Sequence, residues 1–273
     1  MPHLDLRQSL NAISDVVNNR PRPLREFDQI YMKTADMLLH AEHVGRCFDG
    51  KHVIFIGDGD AIALSIIHLH RLELLEKAPA SVHVLDFDER VVLSIRNFAE
   101  RFNIADVVTA ELYNVADPLP PQHWEKYEGF HVNPPFGQSN AGRSVKAFLR
   151  RGLETIGAEG VACAVLANDS NYPWTWEVLH NAQRYLIDER MVLAELLPEF
   201  HRYHLDDAPD LRSCSLVMRK LKQLPHPYAS VPLENEFLAN FYGENSPLKV
   251  RYVRDKTNAG KLASNDYYCE GFA

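Results

Sequence analysis

An α/β fold, built on a doubly wound, mostly parallel seven-stranded sheet, is what this sequence predicts. Three observations carry the prediction. Short apolar runs alternate with helix-period patterns over residues 48–220, the signature of a parallel sheet covered on both faces. The residues with unusual chemistry fall at the ends of those runs, where open α/β sheets bind ligands. Apolar residues make up 46% of the 273, enough for a full core.

The elements follow in order. Residues 1–23 are polar and close on Arg20-Pro21-Arg22-Pro23, which reads as an arm and linker. Over residues 24–47, Phe27, Ile30, Tyr31, Met37, Leu38 and Val44 recur at spacings near three and four, the period of a helix. Val53-Ile54-Phe55-Ile56 is a buried-strand run, followed by Gly57-Asp58-Gly59-Asp60 and a helical stretch through Leu75. Val82-His83-Val84-Leu85 forms a second strand ending at Asp86, with a helix over 89–102 behind it. A third strand over 107–112 leads to Asn114 and the loop Asp117-Pro118-Leu119-Pro120-Pro121. The fourth, over 129–132, runs into Asn133-Pro134-Pro135-Phe136-Gly137. A helix over 145–156, a strand over 161–166, a helix over 174–187 and strands over 192–197 and 213–218 complete the alternation. Beyond Lys220 the pattern degrades into proline-rich, aromatic-containing segments that read as a small extension or lid. The expected organisation is an arm and leading helix over 1–47, a catalytic domain over 48–220 and an extension over 221–273.

Charge and cysteines narrow the function classes. The formal net charge is −8, which suits a cationic substrate better than a polyanion. Local basic clusters (Arg143, Lys146, Arg150, Arg151; Lys249, Arg251, Arg254, Lys256) keep nucleic acid open as the lesser choice. No run of about 18 apolar residues occurs, and the start has no basic-then-apolar leader, so neither a membrane span nor a secretory signal is expected. Cys47, Cys163, Cys214 and Cys269 stand far apart, as reduced thiols of a cytoplasmic protein would.

The strand ends carry the chemistry. Gly57 and Gly59 allow a tight turn and close approach of backbone to ligand. No third glycine follows, and Asp58 and Asp60 would repel a pyrophosphate; they suit the sulfonium and amine of an S-adenosyl compound instead. Asp86 is placed to accept the hydrogen bonds of two ribose hydroxyls, and Asn114 to meet an adenine amino group. Consecutive prolines fix φ and cannot continue a central strand, so Pro134 and Pro135 hold the next corner open and keep Asn133 extended. Asn133 can then accept hydrogen bonds from a target amine, and Phe136 supplies a flat apolar wall. Further carboxylates, Asp169 and Glu199, are available to a cationic acceptor, and His201 and Tyr203 are candidates to line its pocket. His201 and His204 have a spacing that metal ligands use, but no third ligand lies nearby in the sequence and no metal is expected.

With these pieces in order the chain resembles the branched-chain polyamine synthases. The matching stretches are Phe27-Asp28-Gln29 onward, Phe55-Ile56-Gly57-Asp58-Gly59-Asp60, Val84-Leu85-Asp86-Phe87-Asp88-Glu89-Arg90, Asp117-Pro118-Leu119-Pro120, Asn133-Pro134-Pro135 and Leu196-Leu197-Pro198-Glu199-Phe200-His201-Arg202-Tyr203. The resemblance implies a sheet of the class I S-adenosylmethionine-dependent methyltransferase type. It implies decarboxylated S-adenosylmethionine as donor, a polyamine such as spermidine as acceptor, and Gln29 and Tyr31 reaching the pocket from the leading helix. A homodimer is compatible with it. Two departures stand out. The family's N-terminal winged-helix-like domain has too few residues here, and the acidic residue before its double proline is replaced by Asn133. Asn133-Pro134-Pro135-Phe136 also looks like the motif of N6-adenine methyltransferases, which implies S-adenosylmethionine as donor and a planar amine of RNA, DNA or a small molecule as acceptor.

Overall fold

A computed structural model describes residues 5–222, 230–257 and 266–272. The sheet contains seven strands: β1 (His52–Ile56), β2 (Ser81–Asp86), β3 (Val108–Leu112), β4 (Tyr127–Val132), β5 (Ile156–Ala167), β6 (Met191–Arg202) and β7 (Arg212–Lys220). Their order across the sheet is β3-β2-β1-β4-β5-β7-β6. The pairs β3-β2, β2-β1, β1-β4 and β4-β5 are parallel, and β7 lies antiparallel between β5 and β6. The seven expected strands are all present.

Period-2 alternation divides each central strand between two cores. Val53 and Phe55 pack with α1 (Leu6–Asn19), α2 (Thr34–Cys47), α3 (Ile62–Arg71) and α4 (Glu89–Arg101). Ile54 and Ile56 pack on the other face with α5 (Arg143–Thr155) and α6 (Pro173–Asp188). Burial on both faces is why these strands read as continuous apolar runs. The chain's last described segments, the short α7 (Asn235–Leu238) and the antiparallel pair β8 (Val250–Asp255) and β9 (Tyr267–Gly271), close one end. β8 docks beside the end of β2, where the Val253 N–H donates to the Phe87 carbonyl at 3.1 Å.

Two expectations at the start of the chain need correction. The supposed arm contains α1, opened by Asp5, whose carboxylate accepts the Gln8 N–H at 3.0 Å. Its Ile13 and Val16 are fully buried in the same core as α2 and α3. The leading helix starts at Thr34, ten residues later than the periodicity suggested. Residues 25–27 form a single 3-10 turn, Asp28 adopts φ 56°, and the chain then runs extended until Met32 pairs with Tyr203. A left-handed residue ends a helix, so the spacing of Phe27, Ile30 and Tyr31 reflects a pocket wall.

Candidate active site

Strand order reverses between β1 and β4, and a cavity opens at their carboxyl ends. The turn after β1 needs Gly57, with φ 77° and room for a Cβ only 3.2 Å from the Phe148 ring. The two corners meet directly: the Asn133 side-chain amide donates to Asp60 Oδ2 at 3.1 Å. Gly59, Asp60, Asn133, Pro134, Pro135 and Phe136 all line this one cavity.

On one side stands Asp86, buried at the end of β2. Its Oδ2 accepts the Asp58 N–H at 3.0 Å and its Oδ1 the Asp88 N–H at 2.9 Å. Each oxygen keeps a lone pair for a ligand hydroxyl. Burial, with the charge of Asp88 adding to it, pushes this carboxyl up to about 7. Phe27, Phe87 and Tyr242 form an aromatic group beside it, with centroid separations of 5.5, 5.4 and 6.3 Å. Gln29 lines the cavity but is engaged at both ends, accepting from the Leu24 N–H at 2.7 Å and donating to Asp88 at 3.1 Å. Asp88 in turn caps α4 and holds Arg90 by two contacts of 2.9 and 2.6 Å.

On the other side, Asp60 Oδ1 accepts from Arg20 at 3.2 Å and from the Met32 N–H at 2.8 Å. Burial raises the Asp60 carboxyl while Arg20 opposes that shift. Arg20 lies 4.0 Å above the Tyr31 ring, whose hydroxyl donates to the Pro21 carbonyl at 2.8 Å. The second carboxylate is Asp28, whose Oδ2 accepts the Phe136 N–H at 3.3 Å. Burial raises it to about 6, against the nearby Arg25. Tyr203 packs edge-on to Phe136, with centroids 5.6 Å apart.

Several expected site residues do other work. Asp58 faces away from the cavity and caps α3, accepting the Ile62 and Ala63 N–H groups at 2.8 and 3.0 Å. Asn114 is fully buried and donates to the Val250 and Arg251 carbonyls, tethering β8 rather than facing the cavity. Asp169 accepts the Asn171 and Arg212 N–H groups, and Glu199 pairs with Arg212 at 3.4 Å; neither lines the cavity. His201 belongs to a buried chain, Tyr203 Oη–Ser213 Oγ–His201–His40–His131, with links of 2.6, 2.8, 3.0 and 3.0 Å. Burial holds His131 and His201 down near 3, so both are neutral. Conversely, Asp28 and Tyr242 line the cavity, and Arg20 supports Asp60 from behind it, although sequence reasoning gave them no site role. Asp28 stood inside a quoted motif, which was the one available signal.

Comparison with known proteins bears on this pocket. The family model of the branched-chain polyamine synthase A C-terminal domain matches residues 8–259. The chain belongs to that family. The N(4)-bis(aminopropyl)spermidine synthase of Thermococcus kodakarensis is 24% identical over 197 residues, covering 71% of this chain and 52% of that protein. Its namesake from Thermus thermophilus is 27% identical over 186 residues, covering 67% and 50%. The chain thus spans about half the length of the curated relatives it matches.

Among solved structures, a Thermus thermophilus branched-chain polyamine synthase mutein, in complex with N4-aminopropylspermidine and 5'-methylthioadenosine, superposes with TM-score 0.71 at 20% identity, covering 87% of this chain and 70% of that one. A candidate RNA methyltransferase from Pyrococcus horikoshii gives TM-score 0.57 at 13% identity, covering 79% and 100%. Branched-chain polyamine synthases and methyltransferases therefore share this sheet, and membership of the first family is carried by the match along the sequence. No helix among the described residues is long and apolar enough to cross a membrane.

Proposed function

We propose that this chain moves an aminopropyl group from decarboxylated S-adenosylmethionine to an amine nitrogen of a polyamine. The observation that carries the reading is the junction of Asp60 and Asn133 in one cavity with Asp28 beside them, in a chain of the branched-chain polyamine synthase family. Two carboxylates at one end suit a cationic acceptor, and the relatives' name and the N4-aminopropylspermidine in complex with the solved mutein support a spermidine-like one.

The reaction joins the amine lone pair to the carbon beside the sulfonium. The C–S bond breaks, its electron pair stays on sulfur, and 5'-methylthioadenosine leaves. Alignment of nitrogen, carbon and sulfur supplies much of the acceleration. Asp86 is assigned to the ribose hydroxyls, and the Phe27, Phe87 and Tyr242 rings to the adenine. Asp60, neutralised in part by Arg20, orients Asn133, whose carbonyl oxygen is left to accept from the acceptor nitrogen. An aliphatic amine near pKa ~10 must shed a proton to attack. Asn133 cannot take it. Asp28, raised toward 6 and lining the same cavity, is the group assigned to that step. Tyr242, beyond Lys220, serves as a wall beside the donor. The acidic balance and free thiols fit a cytoplasmic enzyme acting on a small cation rather than on nucleic acid.

The test is release of 5'-methylthioadenosine from decarboxylated S-adenosylmethionine, dependent on added spermidine and followed by chromatography. Spermidine-independent release, or none, would remove this reading.

A further inference from the structure

Below the aromatic side of the cavity lies a second cluster of side chains. His83 on β2 and Glu111 on β3 stand on the same sheet face as Leu85 and Tyr113, two residues further along each strand, which line the cavity. His123, at the end of the 3-10 turn Pro121–His123, lays its ring over His83 with centroids 4.6 Å apart. His83 Nδ1 is 2.7 Å from Thr109 Oγ1, and His123 Nδ1 is 2.8 Å from the Tyr127 hydroxyl. Those contacts leave both Nε2 atoms directed at Glu111, at 3.9 and 3.1 Å from Oε2.

We propose that His83, Glu111 and His123 form a binding site for a divalent transition-metal ion of the zinc class. Four features support it. The three ligand atoms lie within 4.8 Å of one another. The two nitrogen–oxygen distances bracket the roughly 3.3 Å ligand separation of a tetrahedral site with bonds of about 2.0 Å. Each Nδ1 lies within reach of a hydroxyl that can accept its hydrogen, so an ion can take the place of the proton that His123 Nε2 shares with Glu111 Oε2 at 3.1 Å. His83 Nε2 is buried and has no hydrogen-bond partner among the described residues, the mark of a group awaiting one. The Glu111 side chain, 43% exposed, gives the ion an entry path and leaves room for water to complete its coordination.

A second grouping, His43, Cys47 and Glu195, fails where this one holds. Arg46 already contacts both His43 Nδ1 at 3.1 Å and Glu195 at 3.3 Å, so a guanidinium takes the cation's place. At the proposed site an ion would tie β2, β3 and the turn before β4 together beneath Leu85 and Tyr113. Its role is therefore to stiffen a cavity wall, and it does not depend on which group the cavity transfers.

The full chain, stripped with a chelator and desalted, is titrated with Co2+ while visible absorption is followed, and with Zn2+ by calorimetry. One equivalent should bind, and the unfolding midpoint should rise with stoichiometric Zn2+. Glu111→Gln, at a half-exposed side chain of β3, and His123→Ala, at a buried ring, should each weaken binding at least about tenfold with circular dichroism unchanged. His83→Ala should do the same, and Glu111→Gln, at the exposed ligand, decides the matter if a histidine variant does not fold. Absence of binding by the unaltered chain would overturn the site. So would binding of unchanged affinity in His123→Ala and Glu111→Gln, which would put the ion elsewhere.

Discussion

Replacing Asp28 with Asn tests the assigned proton acceptor and has a worked magnitude. With the carboxyl near 6, about 97% is ionised at pH 7.5 and about 9% at pH 5. Transfer should therefore fall about tenfold between those values through Asp28 alone. Asn keeps an acceptor for the Phe136 N–H, so the corner is preserved, but it cannot take a proton. The rate of 5'-methylthioadenosine release should drop about 10²-fold at pH 7.5, and the limb near pH 6 should vanish.

Stability gives an independent reading of the same residue. The folded protein holds the Asp28 proton more tightly than the unfolded chain, where the carboxyl titrates near 3.8. Below about 3.8 both states are protonated and no penalty arises; as pH rises through about 6 the buried carboxylate costs up to about 3 kcal/mol. Asp28→Asn should therefore be more stable than the parent at pH 7.5 and equal to it at pH 3.5, by denaturant unfolding. A variant that keeps half its rate and the pH 6 limb would refute the role of Asp28.

Other outcomes follow from the same geometry. Asp86→Ala should weaken donor binding by tenfold or more by calorimetry, and donor affinity of the parent should decline as pH falls below about 7 as that carboxyl is protonated; unchanged affinity would misplace the ribose contact. Arg20→Ala leaves Asp60 buried without its cation, so the Asp60 carboxyl should rise further and turnover fall, whereas an unaltered pH profile would deny the link. Gly152→Ala puts a Cβ 2.3 Å from the Phe130 ring in the core under β4, and should cost about 1–3 kcal/mol in unfolding experiments without moving KM for the donor.

The parallel strands were legible because both their faces are buried, as at β1, where Val53, Ile54, Phe55 and Ile56 show no exposed partner. The cavity's location was legible because Gly57 and the double proline each mark a strand end, and strand order reverses between them. What was lost depends on folding at longer range. Asn114 sits where a ligand contact would be expected, yet its hydrogen bonds go to Val250 and Arg251, more than 130 positions along the chain. Asp58 and Asp60 are both acidic members of one turn, and only the direction of the turn decides that the first caps α3 and the second faces the cavity. Asp28 was hidden by its φ of 56°, which breaks a helix that the apolar spacing imitates. Arg20 was assigned to a linker because a single buried arginine among prolines carries no periodic signal.

The central claim is that the cavity aligns an amine with the aminopropyl carbon of a decarboxylated donor. The direct measurement is product mass after incubating the chain with spermidine and either decarboxylated S-adenosylmethionine or S-adenosylmethionine. A gain of one aminopropyl unit on spermidine, from the decarboxylated donor alone, is the result predicted. A methyl gain on an amine from S-adenosylmethionine, with spermidine unchanged by the decarboxylated donor, would contradict it.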